Sequence, residues 1–228
     1  IQFLKKLNLK MIKIPSHEIY NLKLIEKCIS AFNKVLISTG ASYWNELETL
    51  SKNIDLSKAV FMHCVSSYPC PIEKVNLPRL ILMKNFTNNF GYSGHFTGID
   101  DAIAAICLGA IYVEKHFTID RNLLGADQKI SMEPSELAAL KKATVNVQSI
   151  LGSGTKQIQT SEESVKKSSR RSLVARKDIE PGTTLTKEMI SFKRPGTGIS
   201  PADLDRVIGQ KTNTSILAEQ VIAWEMIL

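Results

Sequence analysis

A strand, helix, strand pattern between residues 90 and 120 constrains the fold more than any other feature of this sequence. An apolar run that ends in Ser93 and His95 precedes a helical pattern, and a second apolar run at residues 111–117 follows it. Two strands joined through a helix normally pair in parallel by a right-handed crossover. The pattern therefore predicts two neighbouring parallel strands within an α/β sheet.

The two predicted strands carry polar side chains at their carboxyl ends. Because side chains alternate along a strand, Ser93 and His95 share one face. Glu114 and His116 share the corresponding face of the next strand, and ligands collect at such strand ends in parallel α/β proteins. Two imidazoles can bind a divalent cation when a carboxylate or water completes the shell. Two hydrogen-bonded histidines without a metal are the alternative interpretation.

The composition is that of an ordinary globular protein, and it narrows the possible partners. The chain has 228 residues, of which 43% are hydrophobic and 22% charged, and its net charge is +7. The positive charge favours phosphate or carboxylate ligands. The basic cluster at residues 166–171 lacks aromatic neighbours that could stack on bases, so nucleic-acid binding is not expected. No apolar run approaches the length that spans a bilayer, so no membrane partner is expected either.

The cysteines give a prediction of the compartment. Cys28, Cys64, Cys70 and Cys107 form no CxxC pair and lack the spacing of a metal finger. Each lies in or beside an apolar segment. The sequence therefore predicts buried thiols in a reducing cytoplasm.

Alternating strand and helix patterns fill the first two thirds of the chain. The predicted strands lie at residues 11–14, 34–38, 59–65, 90–95 and 111–117. A closing helix is predicted from Glu133 and Pro134 to Leu151. Five strands are too few to close an eight-stranded barrel.

The character of the sequence changes after residue 151. Residues 152–169 are rich in Gly, Ser, Thr, Gln and Lys, which predicts a linker. Short β-like runs separated by Pro-Gly turns at Pro181 and Pro195 follow. The sequence thus predicts an alternating α/β domain at residues 1–151, a linker at 152–169 and a compact, mostly β domain at 170–228.

Single residues outside this pattern are open to more than one interpretation. Lys13 precedes a loop with Ser16 and would suit a phosphate, although a solvent-facing side chain is the commoner explanation for one lysine. His63 lies inside a predicted strand and is interpreted as a hydrogen-bonded core residue. Arg194, taken by itself, is an ordinary surface arginine.

Seven short motifs occur in order along the chain and match one known family. They are Lys13-Ile-Pro-Ser16-His-Glu18, Ser38-Thr39-Gly40, Ser66-Ser67-Tyr68-Pro69, Gly91-Tyr-Ser93-Gly-His95, Glu114-Lys-His116-Phe-Thr, Asp120-Arg121 with Gly125 and Asp127, and Lys193-Arg194-Pro195-Gly196. Through these motifs the chain resembles the sialic acid synthases and their relatives that make pseudaminic and legionaminic acids. The resemblance implies the carboxy-terminal part of a (β/α)8 TIM barrel, followed by a small, mostly β SAF (antifreeze-like, β-clip) domain. It also implies that the first barrel strands, with further catalytic groups, are missing from this chain.

The resemblance implies a metal and a phosphate site. His95 and His116 are expected to bind a divalent metal, manganese with magnesium or cobalt as alternatives, with Glu114 beside it. The resemblance further implies contacts to phosphoenolpyruvate. Its phosphate is expected to meet Lys13 and Ser16, and its carboxylate Ser38 and Ser93.

The resemblance also implies an acceptor site and a partner subunit. Tyr68 and Asp127 are expected to face the acceptor sugar, and Ser66 stands where some family members carry Asn, which leaves the identity of the sugar open. The catalytic groups would be Glu114, Lys13 and Tyr68. Arg194 is expected to reach the barrel of a partner subunit in a domain-exchanged homodimer.

The implied reaction condenses phosphoenolpyruvate with an open-chain N-acetylmannosamine-type or diacetamido sugar. Its products are a nonulosonic acid and phosphate, and the enzyme would be a transferase that forms a carbon–carbon bond. The alternative is that the chain is a non-catalytic fragment, or a module of the same fold that binds a metal or a phosphosugar. If the chain were another metal-dependent aldolase-type barrel, neither the small β domain nor Arg194 would be expected.

Overall fold

A computed structural model describes residues 1–228, which form two units, Ile1–Gly154 and Thr155–Leu228. The first unit contains one parallel sheet whose strand order follows the chain. Its strands are β1 (Met11–Ile14), β2 (Lys34–Ser38), β3 (Ala59–Cys64), β4 (Phe90–Gly94) and β5 (Tyr112–Lys115). Its helices are α1 (Gln2–Lys6), α2 (Leu22–Ala31), α3 (Trp44–Asn53), α4 (Pro78–Met83), α5 (Asp100–Cys107) and α6 (Pro134–Leu151).

The five predicted strands and their parallel pairing are confirmed, and the strands at the site are shorter than predicted. β4 ends at Gly94 and β5 ends at Lys115, so His95 and His116 each follow a strand directly. The central strands β2 and β3 are apolar and almost fully buried, as expected for parallel strands that are covered on both faces. His63 in β3 is buried, and its Nε2 lies 2.8 Å from the Val75 carbonyl oxygen, which agrees with its interpretation as a core residue.

The sheet is curved like part of a barrel wall. β1 and β5 are its two edge strands, with three strands between them. Neighbouring strands lie about 4.8 Å apart, so a flat sheet would separate these edges by roughly 19 Å. Lys13 Nζ on β1 nevertheless lies 3.0 Å from Glu114 Oε1 on β5. The inner faces of the two edge strands therefore face each other, which confirms the predicted partial barrel.

Strand register stacks the inner side chains in layers. Leu36, Val60 and Met62 form a small apolar cluster on the inner face, separate from the main core between the sheet and its helices. Two positions further along the strands than Met62, the residues Cys64, Ser93 and Glu114 lie side by side. The layer of side chains therefore changes from apolar to polar towards the carboxyl ends of the strands.

The second unit is small and built around an antiparallel strand pair. It contains α7 (Glu163–Ser169), β6 (Ser172–Ala175), β7 (Ile190–Lys193) and α8 (Leu204–Val207), and further antiparallel bridges extend the pairing. Leu173, Ile199, Ile216 and Ile222 are fully buried and form its own core. Residues 152–169 include α7 and a 3-10 turn at Thr160–Glu162.

The cysteines agree only in part with the sequence prediction. All four are free thiols, and Cys28, Cys64 and Cys70 are buried. Cys107 is exposed, so its predicted burial is wrong. It is the last residue of α5, on the side of the helix that faces away from the sheet, whereas Ala102 and Ala105 face inwards. None of the helices combines the length and the apolar character needed to cross a membrane.

Candidate active site

A cavity of about 660 Å³ opens at the carboxyl ends of β1 to β4. It is lined by strand ends and by the loops that follow them, as expected for a parallel α/β protein. Six of the predicted site residues line it, namely Lys13, Ser16, Ser66, Tyr68, Ser93 and His95. These six side chains come from the ends of three strands, β1, β3 and β4.

Gly40 allows a close cluster of small polar groups on one side of the cavity. Its backbone N–H donates to Ser16 Oγ at 2.9 Å. A Cβ atom at this position would overlap Ser66 Oγ and would lie 3.1 Å from Cys64 Sγ. The absence of a side chain at residue 40 is thus what lets two hydroxyls and a thiol approach the same backbone segment.

Ser38 supplies a hydroxyl without a partner. The residue ends β2, is 1% exposed, and its Oγ accepts and donates no hydrogen bond. Register places it beside Met62 on the inner face, one layer below the polar layer at Ser93. A buried unpaired hydroxyl costs about 1–3 kcal/mol, so such a group calls for a ligand or a water as its partner.

The two histidines and one tyrosine form an aromatic cluster. The ring centroids of His95 and His116 are 5.4 Å apart. The Tyr68 ring lies over His95 at 4.0 Å between centroids and meets His116 edge-on at 6.0 Å. The structure therefore brings the predicted metal-binding pair together, with the predicted acceptor residue against it.

Hydrogen bonding determines which ring nitrogen of His95 is available. His95 Nδ1 lies 2.8 Å from the Val65 carbonyl oxygen, which can only accept a proton. Nδ1 is therefore protonated in the neutral ring, and Nε2 keeps its lone pair. His116 Nδ1 lies 3.6 Å from Asp127 Oδ2, longer than a hydrogen bond, and this places Asp127 beside the pair.

The side chains of His95 and His116 suit a divalent cation, and they would supply only part of its ligand shell. Two imidazoles with free lone pairs are suitable donors, and they leave positions open for oxygen ligands. No group of three or more His, Cys, Asp or Glu side chains in the structure is arranged to bind a metal ion. The carboxylate nearest to the predicted site on β5, that of Glu114, is instead paired with Lys13.

Tyr68 has a phenol that stays protonated. Burial raises its pKa above the ordinary value, and the neighbouring side chains of Cys64, Asp127 and Glu114 raise the pKa further. The Tyr68 hydroxyl can therefore donate a hydrogen bond to a ligand in the cavity across the physiological pH range.

Cys64 is a site residue that the sequence analysis missed. Its Sγ lines the cavity and lies 3.9 Å from His95 Nδ1. The available signal was its position at a predicted strand end, where register pairs it with Ser93. Arg194 is exposed and directly follows β7 in the second unit, and its contact with a partner subunit stays a prediction.

Comparisons with known proteins agree with this architecture. Residues 1–156 match the model of the NeuB family, and residues 170–228 match that of the SAF domain. The N,N'-diacetyllegionaminic acid synthase of Campylobacter jejuni is 36% identical over 97% of this chain and 68% of its own length. The human N-acetylneuraminate-9-phosphate synthase is 33% identical over 100% of this chain and 65% of its own length.

A solved structure shows the same relationship. The crystal structure of the N-acetylneuraminic acid (sialic acid) synthetase from Leptospira borgpetersenii superimposes with a TM-score of 0.67 and 36% identity. The match covers 72% of this chain and 59% of that protein. The chain thus spans about two thirds of the length of the two named relatives and less of the solved structure.

Proposed function

The chain belongs to the NeuB family, and we propose that its protein condenses phosphoenolpyruvate with an N-acetylmannosamine-type or diacetamido sugar. The products are a nonulosonic acid and inorganic phosphate. The observation that carries this proposal is the convergence of Lys13, Ser16 and His95 in one cavity, with His116 5.4 Å from His95 between ring centroids. The lysine ammonium and the serine hydroxyls can bind the phosphate and the carboxylate of phosphoenolpyruvate. The pair of imidazoles can serve the aldehyde of the sugar.

Phosphoenolpyruvate binds on the side of Lys13. The ammonium and the Ser16 hydroxyl contact its phosphate, and the Gly40 N–H orients Ser16 through their 2.9 Å hydrogen bond. Ser93 and Ser38, whose Oγ has no hydrogen-bond partner among the protein atoms, donate to its carboxylate. Small hydroxyl donors suit this role because they bind the anion without adding charge.

The acceptor sugar binds between Tyr68, Ser66 and Asp127. The Tyr68 phenol donates to a sugar oxygen, and the Asp127 carboxylate accepts from sugar hydroxyls. His95 and His116 would hold a divalent cation through their imidazoles, manganese with magnesium or cobalt as alternatives. When bound, the cation supplies Lewis-acid polarisation of the aldehyde oxygen.

The chain's own groups then support bond formation and hydrolysis. The enol carbon of phosphoenolpyruvate attacks the aldehyde carbon, and Lys13 stabilises the phosphate as the neighbouring carbon becomes cationic. Water adds to that carbon and Glu114 accepts its proton, while the alkoxide formed from the aldehyde takes up one proton and becomes a hydroxyl. The resulting adduct expels phosphate and leaves the keto acid. Glu114 is positioned for this step because its carboxylate lies 3.0 Å from Lys13 Nζ, beside the proposed phosphoenolpyruvate site.

The second unit has a separate role in the proposal. Arg194 contacts the acceptor in the barrel of a partner subunit, in a domain-exchanged homodimer. Its exposure supports this role, because a buried arginine could not reach another subunit. We place the protein in the cytoplasm, where four free thiols remain reduced.

A binding module without catalysis is the alternative. It is favoured by the donor set, since only two imidazoles of this chain converge on the metal position. Such a module would bind a metal and a phosphosugar but would release no phosphate.

Identification of the product tests the proposal. The protein encoded by the full reading frame that contains this chain is incubated with phosphoenolpyruvate, Mn²⁺ and one sugar at a time, either N-acetylmannosamine or a diacetamido trideoxy sugar. Mass spectrometry is expected to detect one acid with the mass of sugar plus phosphoenolpyruvate plus water minus phosphoric acid. Metal and ligand binding without this product from any sugar would favour the non-catalytic alternative.

A further inference from the structure

A buried ion pair lies on the opposite face of the two strands that carry the histidines. Lys115 Nζ lies 3.0 Å and 2.9 Å from the two carboxylate oxygens of Asp101. The side chains are 1% and 2% exposed. Lys115 is the last residue of β5, and Asp101 lies in the first turn of α5.

The pair belongs to a network in which every member has partners. Lys115 Nζ also donates to the Phe96 carbonyl oxygen at 2.6 Å, and the Tyr92 hydroxyl donates to Asp101 Oδ2 at 2.8 Å. Burial, followed by the charge of Asp101 and this hydrogen bond, raises the pKa of Tyr92 above its ordinary value, so Tyr92 remains a donor. The network thus joins β4, the loop after β4, the start of α5 and the end of β5.

The network is adjacent in sequence to both imidazoles. Phe96, whose carbonyl accepts from Lys115, directly follows His95, and Lys115 directly precedes His116. Alternation along the strands directs Lys115 and Tyr92 outwards, whereas His95 lines the cavity and the His116 ring lies 5.4 Å from it. One ammonium group therefore connects the backbone segments that carry the two rings.

Gly94 shows how tightly the network packs against the strand. A Cβ atom on Gly94 would lie 2.5 Å from Asp101 Oδ2 and 2.5 Å from a ring carbon of Tyr92. The carboxylate thus packs directly against the backbone between Ser93 and His95. Any displacement of Asp101 changes the contact that fixes this part of β4.

We propose that Asp101, Lys115 and Tyr92 are positioning residues that fix the spacing and orientation of the His95 and His116 imidazoles for a divalent cation. The proposal rests on the metal site of the proposed function. Stability alone does not explain the network, because well-packed apolar groups can often replace a buried ion pair without loss of stability. Groups that orient metal-binding side chains without touching the metal commonly change metal affinity 10- to 100-fold when they are altered.

The test separates positioning from folding by removing both charges together. The double variant Asp101→Asn/Lys115→Met leaves no unpaired buried charge, and Asn can still accept from Tyr92. Its thermal unfolding is compared with that of the wild-type full-length protein, and Mn²⁺ affinity is measured by electron paramagnetic resonance of the free ion. The matched control is Asp203→Asn/Arg206→Met, which removes an ion pair from the second unit.

We expect the double variant to stay folded and to bind Mn²⁺ about 10- to 100-fold more weakly, whereas the control binds like the wild type. Wild-type affinity in the folded double variant would overturn the positioning role and leave the proposed function intact. Absence of Mn²⁺ binding in the wild type would overturn the metal site and the inference with it. If the double variant does not fold, Tyr92→Phe is used instead, because it removes only one hydroxyl. We expect this variant to bind Mn²⁺ about fivefold more weakly than the wild type. Unchanged Mn²⁺ binding would overturn the inference.

Discussion

The ring of Tyr68 covers the ring of His95, with 4.0 Å between their centroids. The phenol hydroxyl and the aromatic face of Tyr68 therefore serve two separate purposes. The face packs on the imidazole whose Nδ1 lies beside the Val65 carbonyl, while the hydroxyl is free to donate into the cavity. Two substitutions separate these purposes.

Tyr68→Phe is expected to raise KM for the acceptor sugar about tenfold, because one hydrogen bond is lost while the ring still covers His95. Tyr68→Ala is expected to weaken Mn²⁺ binding as well, because the imidazole loses its packing partner. Steady-state kinetics and metal titration measure the two effects. An unchanged acceptor KM in Tyr68→Phe would show that the hydroxyl does not contact the sugar.

Ser38→Ala is expected to stabilise the protein and to impair substrate binding. Removing the unpaired buried hydroxyl relieves about 1 kcal/mol, which raises Tm by about 2–4 °C, while KM for phosphoenolpyruvate rises because the carboxylate loses a donor. Ser172→Ala is the matched control. That buried serine donates to Pro195 and accepts from Gly198, so its loss should lower Tm and leave KM unchanged. Lower stability in Ser38→Ala would contradict the interpretation of Ser38.

Glu114→Gln is expected to separate binding from chemistry. The substitution frees Lys13 from its ion pair, so KM for phosphoenolpyruvate should fall or stay the same. The variant loses the proposed proton acceptor, so kcat should fall about 100-fold. Lys13→Met should show the opposite pattern, with a raised KM for phosphoenolpyruvate. A kcat close to wild type in Glu114→Gln would exclude a role for this carboxylate in proton transfer.

The stability of the first unit should depend on pH through His63. Burial lowers the pKa of His63 below its ordinary value of 6.5, so the unfolded chain binds a proton more readily than the folded one. Stability is therefore full above pH 6.5 and falls as the pH drops from there through the folded pKa. His63→Gln should flatten the dependence of Tm on pH, whereas the exposed His17→Gln should not. An ordinary histidine titrates between about pH 7.5 and pH 5.5. A wild-type Tm that stays constant across this range would contradict the predicted role of His63.

The parallel sheet and the meeting of His95 with His116 could be predicted from sequence because both depend on local patterns. Strand, helix and strand alternate in a short stretch, and the rules of crossover and side-chain alternation then fix neighbours and faces. The family resemblance added the residue roles and the second domain. The NeuB and SAF matches confirm the family and the domain types.

The contacts that the sequence did not predict depend on the curvature of the sheet and on long-range pairing. Lys13 meets Glu114 only because the sheet curls until its edges face each other, and no local pattern encodes that distance. Lys115 lies between two predicted site residues but points to the opposite face, where its partner Asp101 comes from a helix. Cys107 was misassigned because an apolar neighbourhood in sequence does not determine which side of a helix a residue occupies.

The proposed function requires that the site formed by His95 and His116 catalyses acceptor-dependent breakdown of phosphoenolpyruvate. The most direct measurement is phosphate release by the full-length protein, with and without Mn²⁺ and acceptor sugar, in the wild type, His95→Ala, His116→Ala and the control His63→Gln at pH 7.5. We expect release that requires both metal and sugar, falls at least about 100-fold in His95→Ala and His116→Ala and persists in the control. Release that is independent of the sugar, or unchanged in folded His95→Ala and His116→Ala, would contradict it.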